Sequence, residues 1–102
     1  MAVIALAGYV PMLVSGLIDD IEEMTLPQGI ENSLISKLEN ALKSLEKGND
    51  GAAINQLNAF INEVEAQSGK NITEDDADSI IFEVLVLISK IKGEPPPSGD
   101  GA

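Results

Sequence analysis

Apolar residues recur at intervals of three and four along most of the chain, with polar residues filling the gaps. Between Gly29 and Lys47 one stripe is formed by Ile30, Leu34, Leu38, Ala41, Leu42 and Leu45, while Glu31, Lys37, Glu39, Lys43 and Glu46 fall off it. That spacing predicts an amphipathic helix. From Gly51 to Gln67 a second stripe runs through Ala53, Ile54, Leu57, Phe60, Ile61 and Val64. Asn49 or Asp50 stands ahead of it as an N-cap whose side-chain oxygen can accept an otherwise unpaired N–H. Upstream, Leu13, Val14, Leu17, Ile18, Ile21 and Met24 predict a further helix over roughly residues 11–24. Pro11 would then fall in its first turn, where a missing N–H costs nothing, and "TLPQG" ends it.

The segment from Glu74 to Ile91 is more apolar. "IIFEVLVLI", from Ile80 to Ile88, has Glu83 as its one polar member, and its β-branched content would also suit a buried strand. Length decides for a helix, because Ala77, Ile80, Ile81, Val84, Leu87, Ile88 and Ile91 keep helical spacing for about four turns. A helix that is apolar on most sides must be covered on most sides. Phe82, Leu85 and Val86 therefore need a second surface, either the uncharged N-terminal segment or another copy of the protein.

Gly48, Gly69 and Gly93 each close one of these runs, at positions where a left-handed backbone excludes most side chains. Short connections between such helices make neighbours antiparallel, so the pattern predicts an all-α fold, a small antiparallel bundle of three to four helices. Residues 1–10 read as an apolar N-terminal flank and 11–93 as the bundle. Residues 94–102, within "GEPPPSGDGA", read as a Pro- and Gly-rich linker or tail.

Composition narrows the function more than it names it. The chain has 102 residues, enough for a single core, and 17 acidic residues against six lysines give a net charge of −11. Such a surface repels nucleic acid and anionic headgroups. With no Cys and no His, thiol and imidazole chemistry and the common ligands of zinc and haem are missing, so no cofactor is expected. The uncharged stretch 2–18 contains Gly8, Pro11, Ser15 and Gly16 and runs into Asp19 and Asp20, which argues against a membrane span. It also lacks the basic n-region of a secretory signal.

"GKNITEDDADS", Gly69 to Ser79, is the one stretch resembling a metal site. Counted as a calcium loop from Asp76, it places Ile80 and Ile81 where an oxygen ligand and a glycine are required. As a helix start every residue has a role: Thr73 caps, Glu74, Asp75 and Asp76 complement the helix dipole, Asp76 pairs with Thr73 in an approximate capping box, and Ile72 meets Ala77 in a staple. "NIT" makes Asn71 a candidate glycan acceptor. Asn55, Asn58 and Asn62 line up on one helix face and form a candidate polar binding face, though no aromatic platform stands beside them. Glu63 and Glu65 point to different helix faces and cannot flank one bond, so no catalytic residue is assigned.

The pieces "LPQGIENSL", "SLEKGN", "AAINQLNAFINEVEAQSGK" and the downstream "DAD" and "II", between Leu26 and Ile81, closely resemble the FIMAH-type domain, a small helical domain of bacterial and archaeal exported proteins. The resemblance implies a noncatalytic accessory module of a larger exported or cell-surface protein, spacing, anchoring or docking other parts of it. Its expected partners are proteins, whether neighbouring domains or a second copy. The alternative is a ligand-binding module for a cell-wall polymer or a cation.

Overall fold

The structure, a computed structural model, describes residues 2–93, with side chains from Val10 onward except Pro11. The expected linker, residues 94–102, lies outside the described residues. Four helices follow in order: α1 (Ala2–Glu23), α2 (Gln28–Glu46), α3 (Asp50–Gln67) and α4 (Glu74–Lys92). Among the described residues there is no strand, only an isolated bridge between Ser68 and Ile72 in the α3–α4 turn.

α1 packs on α2 and α4, and α3 packs on the same two, while among the described residues the diagonal pairs make no backbone approach. The helices thus form a ring in chain order. Connections as short as residues 24–27, 47–49 and 68–73 oblige each helix to run back along its predecessor. The fold is an all-α bundle.

Each helix turns its stripe to the centre. α1 buries Val10, Val14, Leu17 and Ile21, α2 buries Leu34, Leu38 and Ala41, and α3 buries Ala53, Leu57, Phe60, Ile61 and Val64. α4 adds Ala77, Ile80, Val84, Leu87 and Ile88, and the loop residues Leu26 and Ile72 close the two ends. No polar or charged side chain is buried among the described residues, so aliphatic burial holds the core without an internal ion pair.

The helix ends follow local chemistry. Asn49 takes the cap of α3, its Oδ1 accepting from the Ala52 N–H at 3.2 Å. Thr73 caps α4, its Oγ1 accepting from the Asp76 N–H at 3.1 Å. The reciprocal half of a capping box is not made, since the Asp76 carboxylate does not reach back to the Thr73 N–H. Ile72 and Ala77, the expected staple, are both buried. Gly48, Gly69 and Gly93 adopt φ of 76°, 77° and 75°, as the left-handed helix endings require.

The start of α1 departs from the sequence reading. α1 begins at Ala2 instead of near Pro11, so Pro11 sits within the helix and cannot donate to the Ala7 carbonyl. The Ala- and Leu-containing run ahead of it still continues the helix across that missing bond. The α1–α2 turn is made by Thr25 at φ 53°, a backbone that a β-branched residue adopts only under constraint. Burial of Leu26 immediately after it supplies that constraint.

Candidate interaction face

The helix apolar on most sides, α4, has two sequential or spatial neighbours and needs three. α3 covers one flank, and the core takes the inward stripe of Ile80, Val84 and Leu87. The remaining flank faces α1, and among the described residues this is the least extensively packed of the four helix pairs in the ring. The result is an open seam.

Along the seam lie two depressions in line. The first is an apolar groove of about 260 Å³ lined by Leu13 and Leu17 of α1 and by Phe82, Glu83, Val86, Leu87 and Lys90 of α4. Phe82 remains 51% exposed at its edge. The second is a polar cleft of about 480 Å³, lined by Asp20, Glu23 and Met24 at the end of α1 and by Asp76, Ser79, Ile80 and Glu83 at the start of α4. Glu83 belongs to both. Partial burial, and then the nearby Asp20 charge, raise its carboxyl pKa above the ordinary value. The seam therefore has an apolar half and an acidic half, joined at Glu83.

The family model for the FIMAH domain matches residues 14–89, reaching from α1 through all four helices into the last turns of α4. The chain belongs to the FIMAH domain family. No curated protein and no solved structure matches it. Membership makes this an accessory module of larger proteins, and the match takes in both halves of the seam apart from Leu13 and Lys90 at its edge.

The residues singled out from sequence are distributed over this FIMAH domain. Phe82 and Val86 come together in the groove. Leu85 does not line it and stands 39% exposed one helical turn from Phe82, on the outer side of α4. Leu13 and Leu17 of α1 line the groove opposite Phe82 and Val86. Asn55, Asn58 and Asn62 are all exposed along α3. Asn71 is exposed in the α3–α4 turn, with its Nδ2 donating to Gln67 Oε1 at 2.8 Å. Thr73 and Asp76 act at the α4 cap, and Asp76 also lines the acidic cleft.

One constellation in the domain was not anticipated. Lys37 Nζ on α2 donates to Glu63 Oε1 on α3 at 2.9 Å and to Ser33 Oγ at 3.0 Å, and Ser33 Oγ donates to the same Glu63 oxygen at 2.8 Å. Ser33 and Lys37 have the spacing that stacks them on one helix face, a legible signal, but the register that brings Glu63 across is tertiary. The trio ties α2 to α3. Among the described residues no three acidic, His or Cys side chains converge as metal ligands, and no helix is long and apolar enough to cross a membrane.

Proposed function

We propose that this FIMAH domain is a noncatalytic docking module of an exported or cell-surface protein, and that it contacts other protein through the α1–α4 seam. The observation that carries this reading is Phe82, a large aromatic left half-exposed over an apolar groove, while Phe60, the other aromatic whose side chain is described, is fully buried. Large apolar side chains at the mouth of a groove with a polar rim are what protein contacts use for anchorage. Placement outside the cell is carried over from the sequence resemblance to a domain of exported proteins.

A benzophenone-bearing phenylalanine in place of Phe82, within the full-length parent chain in its own cells, tests the reading. Irradiation should join it to one defined site, on a neighbouring domain or another protein, while the same group at Asn58 gives no such adduct. Equal labelling from both positions, or none from either, would overturn it.

A further inference from the structure

We infer that the α1–α4 seam takes a cationic amphipathic helix from a protein partner, its apolar side chains entering the groove beside Phe82 and its Lys or Arg entering the acidic cleft. This deepens the docking reading and rests on it. The argument is one of complementarity. The groove and the cleft share Glu83 and so form one continuous slot, apolar at Leu17, Phe82 and Val86 and acidic at Asp20, Glu23 and Asp76. From Asp76 to Lys90 the slot follows α4 for about 20 Å, the length of a helix of roughly 14 residues. Phe82 and Val86 stand on average about seven residues from Asp76 and Ser79, near 10 Å along the axis, so the partner's cations should lie about two turns from its apolar anchors.

Other occupants fit less well. A second copy brings a chain of net charge −11 against another of −11, and anionic membranes and nucleic acids are repelled for the same reason. A cation in the cleft does the reverse: it meets Asp20 and Glu83 where their charges already oppose each other. A helix is favoured over an extended strand, because the seam lies between two helices and presents no sheet edge.

The test is a titration of the whole isotopically labelled chain with three synthetic helical peptides, followed by NMR. The first has an apolar stripe with lysines two turns away, the second has glutamates in place of those lysines, and the third keeps the lysines but scrambles the stripe. The first peptide should shift signals of Leu17, Asp20, Phe82, Glu83 and Val86, and bind at least about tenfold more tightly than either control. Its affinity should fall several-fold when salt is raised from about 0.02 M to about 0.3 M. Phe82→Ala and the pair Asp20→Asn with Glu23→Gln should each weaken it at least about fivefold, with the rest of the spectrum unchanged. Equal affinity for the lysine and glutamate peptides, shifts centred on the Asn55 to Asn62 face, or dimerisation of the chain without peptide would overturn the inference. If the peptides fail this way while cross-links from position 82 persist, charge selection falls and docking stands. If those cross-links are also absent, both fall.

Discussion

Asp20 on α1 and Glu83 on α4 line the same cleft, and burial together with the Asp20 charge holds the Glu83 carboxyl above its ordinary value of 4.5. Between the unfolded and folded values the native chain then carries more protons than the unfolded one, so stability falls as pH rises through that window. The benefit is complete below the unfolded value and lost above the folded one. Glu83→Gln removes the penalty, and its urea midpoint should exceed that of the wild type at about pH 7 and converge with it at about pH 4. A variant less stable than wild type at neutral pH would contradict this origin of the shift.

The same substitution should act in opposite directions at two glycines. Gly16 lies within α1 with open space where a Cβ would stand, so Gly16→Ala should stabilise by about 0.5–1 kcal/mol. Gly48 has equally open space but φ of 76°, and Gly48→Ala should cost about 1 kcal/mol from backbone alone. Urea unfolding of both variants measures the difference.

Thr73→Ala removes the oxygen that accepts the Asp76 N–H. The expected loss is about 1 kcal/mol, with Thr73→Ser recovering most of it. A cap that matters only for solubility would leave the unfolding midpoint in place.

Lys37 and Glu63 are each less than a third exposed and share Ser33. A double-mutant cycle through Lys37→Met and Glu63→Gln should give a coupling of up to about 1 kcal/mol, reduced in high salt. Coupling near zero would leave the α2–α3 contact to its apolar side chains alone.

Most of the bundle could be read from spacing because each helix repeats one rule locally. The buried residues of α3 and α4 lie on the stripes that period selects, and the three glycines sit at the helix ends as their freedom requires. The start of α1 was not legible, since a proline ordinarily marks a first turn, and Pro11 lies inside. The surplus of apolar residues on α4 could be seen, but not what meets it. Which helix lies beside Phe82 depends on the ring order of the bundle, and the acidic cleft joins Asp20 and Glu23 of α1 to Asp76 and Glu83 of α4, residues far apart in sequence. Glu63 opposite Lys37 is hidden for the same reason.

The central claim is that Phe82 is left out of the core and kept for contact, whereas Phe60 holds the fold. Equilibrium unfolding of Phe82→Ser and Phe60→Ala, side by side with the wild type, tests it directly. Phe60, at 0% exposure, should lose about 3–5 kcal/mol, a large part of what a small domain has, while Phe82, half in water already, should lose less than about 1 kcal/mol. Comparable losses at the two positions would make Phe82 a core residue and remove the basis for a docking face.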